Sequence, residues 1–350
     1  MDLFNNKSIS NELFISKDKY DSIKNKYGVP QKGDILLNAI GNYLGTPFIV
    51  NNAEFYFKDG NIVWFKNFDS KLNNIFLFWW FQSPIAKHQM LTKSIGSAQK
   101  ALTIKALESF EIELPNIQNQ YKIVRILGNI DDKIKTVNNI NINLTKLSSI
   151  IFINLMEKSN NFLELNRCCK FIKGKKPKET SDYPQSNFLD YLTIDVLSNQ
   201  SQMYAYDEKG ILANEYDILM VMDGASSGKL FYGKSGLVGS TLAKLNVEEK
   251  YLEIVYQFLK QSEKFISDNT TGSAIPHTDK GLVLSLKCPI SEELLNYSDT
   301  FKSIRSSIIT NNNEILKLQK LRDTLLPKLM SGEIDVSKIN CDMLQICSCQ

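Results

Sequence analysis

The sequence has few of the residues and motifs on which common catalytic sites depend. Its 350 residues include two histidines, His88 and His277, which lie far apart in the chain. A serine–histidine–acid triad is therefore hard to assemble. All nine prolines are isolated, which excludes the Asn/Asp-Pro-Pro-aromatic motif of amino-methyltransferases that act on an extruded adenine. The segment from Gly224 to Leu230 resembles a phosphate-binding loop, but it is one residue short and ends in Leu where Ser or Thr is required.

Long apolar runs are also missing. The longest, Ile75 to Phe81, is far shorter than the roughly 20 residues that cross a membrane, and we predict a buried helix there. Residues 1–10 hold no apolar run, so we expect no secretory signal, no membrane attachment and a cytoplasmic protein. The net charge of +3 is small, so any nucleic-acid surface must be local.

Six cysteines in such a chain are expected to be reduced thiols. Cys341, Cys347 and Cys349 have no fourth ligand nearby, so we expect a tail and no metal site. Cys168 and Cys169 are adjacent in a predicted strand, where their side chains would point to opposite faces. We interpret both as small buried hydrophobic residues.

The chain contains an internal duplication. Gly96-Ser97-Ala98 returns as Gly272-Ser273-Ala274 in the second half of the chain. Three earlier pairs share one and the same offset in the numbering, namely Asp34 and Asp217, Gly41 and Gly224, and Gly45 and Gly228. Repeats of solenoid proteins are only roughly 20 to 50 residues long, so this much wider spacing predicts two duplicated domains.

Each copy is followed by a predicted long helix with a heptad pattern. The first helix is expected from about Ile117 to Lys158, and its seam begins at Ile123 and Leu127. The second seam begins at Ile304 and Ile308, and we expect Pro327 to kink or end that helix near Leu326. Asn141 and Asn311 occupy seam positions and could fix the register of a helix pair. The periodicity leaves open a hairpin within the chain, a generic helical hairpin and a homodimeric coiled coil.

One segment is strongly basic. Residues 167–178 hold six lysines and arginines and no acid, which suits contacts to nucleic-acid phosphates. A solvated lysine-rich turn explains the same pattern equally well. We select Lys173, Lys175, Lys176 and Lys178 for phosphate contacts. Weaker candidates for nucleic-acid contact lie in the turns and loops of both copies, namely Ser226, Ser227, Lys229, Thr271, Ser273, His277, Lys93 and Lys100.

Motifs in a fixed order resemble those of the specificity subunits of type I restriction–modification systems. They are Lys32-Gly-Asp-Ile-Leu36, Gly96-Ser-Ala-Gln-Lys100, Leu114-Pro-Asn-Ile-Gln-Asn-Gln120, Ile126-Leu-Gly-Asn-Ile-Asp-Asp-Lys-Ile134, Gly272-Ser-Ala-Ile-Pro-His277 and Leu325-Leu-Pro-Lys-Leu-Met-Ser-Gly-Glu-Ile334. The resemblance implies an α+β fold in which two mixed α/β target-recognition domains are separated by two long antiparallel coiled-coil helices. Each domain would read one half of a bipartite double-stranded DNA site.

The resemblance also implies partners and no catalysis by the chain itself. Two methyltransferase subunits would use S-adenosylmethionine to methylate adenine N6, and motor/endonuclease subunits would cleave unmodified DNA. The chain would need no cofactor or metal of its own. A two-headed adaptor that does not bind DNA, and an inactive or recombination-donor form of a specificity subunit, remain alternatives.

The copies predict a division of the chain. We assign residues 1–115 and 161–298 to the two recognition domains, residues 116–160 and 299–336 to the two spacer helices, and residues 337–350 to a tail. The segment from Phe162 to Asp217 in the second copy is much longer than the segment that precedes Asp34 in the first. We therefore expect the first domain to be truncated at its start, where it lacks a strand–loop–strand segment.

Overall fold

The structure is a computed structural model that describes residues 15–51, 55–56, 60–97, 99–272 and 274–339. It mixes helices and sheets, as the sequence predicted. The chain divides into two compact units. One unit comprises Met1–Thr136 and Ile315–Gln350, and the other comprises Val137–Glu314. We refer to residues 1–115 as the first module and to residues 161–298 as the second module.

The first unit is built on one small antiparallel sheet. Its strands, in the order β2-β1-β3, are β1 (Ile35–Asn38), β2 (Pro47–Ile49) and β3 (Ile62–Phe65). Leu36 lies opposite both Phe48 and Trp64 in the register. All four residues of β1 are buried because the strand is central in the sheet. Between residues 15 and 34 the structure describes a helix and no strand.

Helices complete the first module. They are α1 (Lys17–Tyr27), α2 (Asn74–Gln82), α3 (Pro84–Lys93) and α4 (Ile104–Glu108). The predicted buried helix is confirmed as α2, which buries five residues from Phe76 to Phe81. It begins at Asn73, whose side chain accepts a hydrogen bond from the backbone N–H of Phe76. Ser83 caps α3 in the same way, and Pro84 occupies the first turn, where a missing N–H costs little.

The first long helix, α5 (Ile117–Met156), is 40 residues long, which corresponds to about 60 Å. Its predicted seam is confirmed by burial. Five apolar seam residues are less than a tenth exposed, namely Ile123, Leu127, Ile134, Val137 and Leu155. Ser148, a polar seam position, is also buried and accepts a hydrogen bond from Gln257.

The motif that opens α5 has a structural function. Gln120 is fully buried, and its side-chain amide donates to the carbonyls of Lys71 and Pro115 at 2.8 and 2.9 Å. Its oxygen accepts a hydrogen bond of 2.8 Å from the backbone N–H of Asn73. Gln120 therefore fastens the loop before α2 to the start of α5, and the buried amide is well satisfied.

The second unit contains three sheets. The four-stranded sheet has the order β11-β10-β13-β5, the five-stranded sheet has the order β6-β8-β7-β12-β9, and β4 pairs with β14. The five-stranded sheet contains one parallel pair, β7 with β12. The strands are β4 (Phe162–Glu164), β5 (Cys169–Lys173), β6 (Glu179–Ser181), β7 (Leu189–Leu192), β8 (Tyr204–Tyr206), β9 (Leu212–Ala213), β10 (Ile218–Val221), β11 (Leu230–Phe231), β12 (Gly236–Val238), β13 (Leu242–Val247) and β14 (Lys287–Pro289).

The helices of this unit include α6 (Ile194–Leu197), α7 (Leu252–Asp268), α8 (Lys280–Ser285), α9 (Glu292–Asn296) and the second long helix, α10 (Ser298–Met330). Helix α10 continues beyond Leu326 to Met330, so Pro327 does not end it. Because Pro327 lies in the last turn, its missing N–H removes a single helical hydrogen bond. The backbone N–H of Ser331 still donates to the Pro327 carbonyl at 3.0 Å.

Within the second unit, α5 and α10 are antiparallel. Asn311 donates a hydrogen bond of 2.7 Å to Asn141, as the predicted register pair requires. Further along, the rings of Phe152 and Phe301 are 6.3 Å apart, so the residue numbers rise on one helix as they fall on the other. The core of this unit includes both phenylalanines together with residues of α7 and the four-stranded sheet. This pairing supports a helix pair within the chain over a homodimeric coiled coil.

The thiols of the described residues are buried. Cys168 and Cys169 are each less than a twentieth exposed, as is Cys288. Cys168 precedes β5, so the expectation that both cysteines lie within one strand is wrong. Burial raises the pKa of the Cys169 thiol to about 12 and raises that of Cys288 still further. Cys341, Cys347 and Cys349 lie outside the described residues.

Metal-binding clusters and membrane-spanning helices are both absent from the described residues. No group of three or more histidine, cysteine or acidic side chains in that part of the chain has the geometry of a metal site. In the same residues, no helix combines the length and the apolar character that a membrane span requires.

Candidate nucleic-acid interface

The two modules build the same turn at the end of their central strand. In the second module, the N–H of Gly224 donates to the Pro276 carbonyl at 2.9 Å. In the first module, the N–H of Gly41 donates to the Lys100 carbonyl at 3.0 Å. Each bond joins the turn to the loop that contains the Gly-Ser-Ala motif. The duplication inferred from the sequence is therefore confirmed at the level of single hydrogen bonds.

The loop itself is held by matching backbone bridges. His277 bridges to both Asp223 and Thr271 in the second module. The equivalent bridges in the first module join Ala101 to Ile40 and to Ile95. The same backbone framework therefore carries polar and titratable side chains in the second module and apolar side chains in the first.

Glycine is required at the start of the Gly-Ser-Ala motif. Gly96 and Gly272 have φ values of 93° and 90°, a region that favours glycine. A Cβ atom at either residue would collide with the carbonyl of the residue three positions later, Gln99 or Ile275. The glycine is therefore explained by the turn alone.

Asp223 lies at the centre of the polar cluster in the second module. The Lys173 ammonium is 3.1 Å from its Oδ2, and the Nδ1 of His277 is 2.8 Å from its Oδ1. Lys173 and His277 remain half exposed, and about a quarter of Asp223 is exposed. Partial burial acts to raise the pKa of Asp223, but the hydrogen bonds and charges of His277 and Lys173 outweigh it and lower that pKa below its usual value.

This cluster does not form a hydrolytic triad. Residues 224–228 read Gly-x-Ser-x-Gly, and Ser226 lies near the aspartate–histidine pair in the sequence. A nucleophile elbow joins a strand to a helix, whereas this turn joins the antiparallel strands β10 and β11. In the part of the chain that the structure describes, no hydrogen bond links Ser226 with His277.

The predicted basic loop lies between β5 and β6. Lys173 ends β5, and Lys175, Lys176 and Lys178 follow it as exposed side chains. Gly174 is buried between them, and its N–H donates to the Leu242 carbonyl at 2.9 Å. The N–H of Lys175 donates to the Val238 carbonyl at 3.3 Å. The loop is thus fastened to the sheet by its backbone while the lysine side chains face solvent.

Three other candidates lie in the turn between β10 and β11. Ser227 is 2% exposed, and its hydroxyl lies 2.8 Å from the Gly224 carbonyl and 2.9 Å from the Pro276 carbonyl. The prediction that Ser227 contacts DNA is corrected, because this hydroxyl is occupied within the turn. Ser226 is half-buried, and Lys229 is exposed with its ammonium 4.8 Å from the ring centroid of Phe231.

The remaining predicted DNA-contact residues differ in how far their side chains are exposed. Thr271 is exposed, and Ser273 lies outside the described residues. Lys100 is exposed in the first module. Lys93 is half-buried, and its ammonium contacts the Ser109 carbonyl and lies 5.4 Å from the ring centroid of Phe110. These contacts tie Lys93 to its own module, and its contact with DNA stays a prediction.

Sequence reasoning missed an aromatic group beside the basic loop. Phe188 and Tyr206 stack with ring centroids 6.1 Å apart, and Tyr183 is 77% exposed. Strand β6, which directly follows Lys178, pairs with the strand that carries Tyr206. The aromatics are dispersed along the chain from Tyr183 to Tyr206, so a short basic-aromatic motif was not visible.

Comparisons with known proteins agree with this structure. The family model of the type I restriction modification DNA specificity domain matches residues 2–146. The MjaVIII specificity subunit of Methanocaldococcus jannaschii is 33% identical in an alignment of 168 residues that covers 46% of this chain and 40% of that protein. The MjaIX specificity subunit of the same organism is 23% identical in an alignment of 314 residues that covers 75% of this chain and 70% of that protein. The chain therefore spans less than half of the MjaVIII relative.

A solved structure shows the same fold. The S subunit of a type I restriction-modification system from M. genitalium superimposes with a TM-score of 0.58 at 17% sequence identity, covering 87% of this chain and 84% of that one. Residues 2–146 of the chain therefore match the type I restriction modification DNA specificity domain, and the chain is similar in sequence to specificity subunits of type I restriction enzymes.

Proposed function

We propose that this protein is the DNA-recognition subunit of a type I restriction–modification complex. It reads a bipartite site in double-stranded DNA, one half with each module, and itself catalyses no reaction. Two methyltransferase subunits that use S-adenosylmethionine, and motor/endonuclease subunits, bind to it in the cytoplasm. The match of residues 2–146 to the specificity-domain family model and the duplicated loop framework support this proposal.

The observation that carries the DNA-binding part is the basic loop of the second module. Its backbone is fastened at Gly174 and Lys175, and the side chains of Lys175, Lys176 and Lys178 are exposed. A fastened loop with flexible cationic side chains suits phosphate contacts, because such contacts position a protein on DNA without reading its sequence. The half-exposed His277 and the exposed Thr271 on the neighbouring loop are our candidates for contacts to base edges.

Sequencing of methylated bases tests the function directly. Strains with the methyltransferase gene and with or without this gene are compared. We expect methylated adenines in a motif of two specified halves separated by unspecified bases, and only in the strain that carries this gene. Identical methylation in both strains would contradict the proposal.

A salt titration tests the basic loop. In the assembled complex with its methyltransferase, replacing Lys173, Lys175, Lys176 and Lys178 by Ala should weaken binding to all duplexes. Each lost phosphate contact lowers the magnitude of the slope of log affinity against log salt by about 0.9, so the loss of four contacts should lower it by about 3.6.

The matched control removes the same charge elsewhere on the second unit. Lys250, Lys264, Lys287 and Lys302 are also exposed, and their replacement by Ala should leave the slope nearly unchanged. Equal slopes for wild type and the loop variant would show that the basic loop makes no phosphate contacts.

A further inference from the structure

We propose that Asp223 is a positioning residue that joins Lys173 and His277 into one DNA-reading group of the second module. The inference rests on the proposed function, and it names a specificity determinant within it. Lys173 comes from the end of β5, His277 from the Gly-Ser-Ala loop and Asp223 from the turn after β10. Three separate segments of the chain therefore meet at one carboxylate.

Electrostatics alone disfavours an acid at this place. Asp223 carries a negative charge on a surface that faces a polyanion in the proposed function, and like charges repel. Its two oxygens are divided between the two basic partners, at 3.1 Å from Lys173 and 2.8 Å from His277. Such an acid lowers the net positive charge of the surface, so its benefit must come from the geometry that it imposes.

The first module shows that the backbone does not need this cluster. At the positions of Asp223 and His277 it has Ile40 and Ala101, and yet the same β-bridge forms. The hydrogen bond from the turn glycine to the loop is also the same in both modules, at 3.0 Å for Gly41 and 2.9 Å for Gly224. The turn of the first module therefore folds without a carboxylate. The backbone framework of the turn does not explain why the second module has Asp223.

The carboxylate fixes the imidazole of His277. Because a carboxylate can only accept, Nδ1 of His277 carries the proton that it donates to Asp223. In the neutral ring this leaves Nε2 as an acceptor, which matches the exocyclic amino group of adenine or cytosine in the major groove. The same carboxylate holds the flexible Lys173 side chain near the loop, which reduces the entropy that is lost when DNA binds.

Two replacements test the proposal in the assembled complex with its methyltransferase. Asp223→Asn and Asp223→Ala should lower affinity for the cognate duplex about tenfold, the size expected for a lost base contact. Discrimination against single base changes in one half-site should fall, while affinity for non-cognate DNA stays the same or rises because a negative charge has been removed. Asp223→Glu should restore part of the discrimination.

Two measurements separate positioning from folding and from simple charge. The nitrogen-15 chemical shifts of His277 should show one tautomer, with the proton on Nδ1, in the wild type and a mixture of tautomers in Asp223→Asn. The midpoint of thermal unfolding should be the same in both proteins. As a matched control, Glu179→Gln removes an exposed acid next to Lys178. This replacement should not lower the affinity for any of the DNA duplexes.

The outcomes distinguish this inference from the function on which it rests. If Asp223→Asn binds the cognate duplex as well as the wild type or better, with discrimination intact, Asp223 has no positioning function. If the wild-type complex itself shows no sequence-dependent DNA binding, the proposed function fails and the Asp223 inference fails with it.

Discussion

At the scale of single residues, the most demanding environment belongs to Arg305. This arginine is 1% exposed. It bonds to the carboxylate of Glu253 and donates to the carbonyl of Tyr216 at 2.8 Å. The ring centroids of Tyr216, Tyr232 and Tyr256 lie 5.5 to 5.8 Å from its guanidinium carbon. Three aromatic rings and a carboxylate compensate for the cost of burying this charge.

Removing one partner of this pair should be costly. We expect Arg305→Met to lower the free energy of unfolding by roughly 3 to 5 kcal/mol, because Glu253 is left buried without a counter-charge. The double variant Arg305→Met with Glu253→Leu should lose much less, since no charge remains to be solvated. Urea unfolding measures the free energy of unfolding of both variants. Equal losses in the two variants would show that the unpaired charge of Glu253 is not the cause of the destabilisation.

Part of the candidate interface could be predicted from residue types in the sequence. The rest became evident only from contacts between distant segments in the structure. Lys173 was selected for its basic neighbours and His277 for its polar loop. Asp223 was missed because its partners lie 50 and 54 positions away in the sequence. Ser227 was selected although its hydroxyl is buried in the turn, because short polar side chains look alike in a sequence whether they face solvent or a backbone carbonyl.

At the scale of elements, the two long helices were the most predictable part of the chain. A heptad pattern records which side of a helix is buried, and the seam residues of α5 are indeed buried. The pattern did not reveal how a proline is tolerated in α10, since that depends on its distance from the end of the helix. It also did not choose the helix partner, because an apolar stripe fits any complementary stripe.

The asparagine pair in the seam offers a test of this element. Asn311→Leu alone should reduce stability by about 1 kcal/mol, because Asn141 loses the donor at its side-chain oxygen. Replacing both residues by Leu should recover or exceed wild-type stability, since two apolar side chains fill the seam. Thermal unfolding of Asn311→Leu and of the double variant measures both stabilities. A double variant less stable than Asn311→Leu would contradict the prediction.

At the scale of the whole molecule, each compact unit extends beyond a predicted recognition domain into the long helices. Each unit includes a module together with part of both long helices. In the second unit, Phe152 and Leu155 of α5 and Phe301 of α10 belong to the core of the module. The helices are therefore structural parts of the domains that they connect.

A fragment experiment follows from this core. Residues 137–314 are contiguous and should fold alone with a cooperative thermal transition, because they contain the complete core cluster. Residues 161–298, which match the predicted domain, lack Phe152, Leu155 and Phe301. We expect that shorter fragment to unfold without a sharp transition, as measured by circular dichroism. If both fragments unfold with the same midpoint and sharpness, the helices are dispensable for the module.

The duplication, the two long helices, the buried helix α2 and the resemblance to specificity subunits could be predicted from the sequence, because spacing, periodicity and motifs are features of local order. Which acid contacts which base, which serine is buried and where the units divide became evident only from the folded chain. Those features arise from contacts between segments far apart in the chain, and the energy of such contacts depends on burial and distance that a linear order does not contain. The Asp223 cluster shows the difference, since the same backbone turn in the two modules is determined by glycine positions while its chemistry is decided by which side chains converge on it.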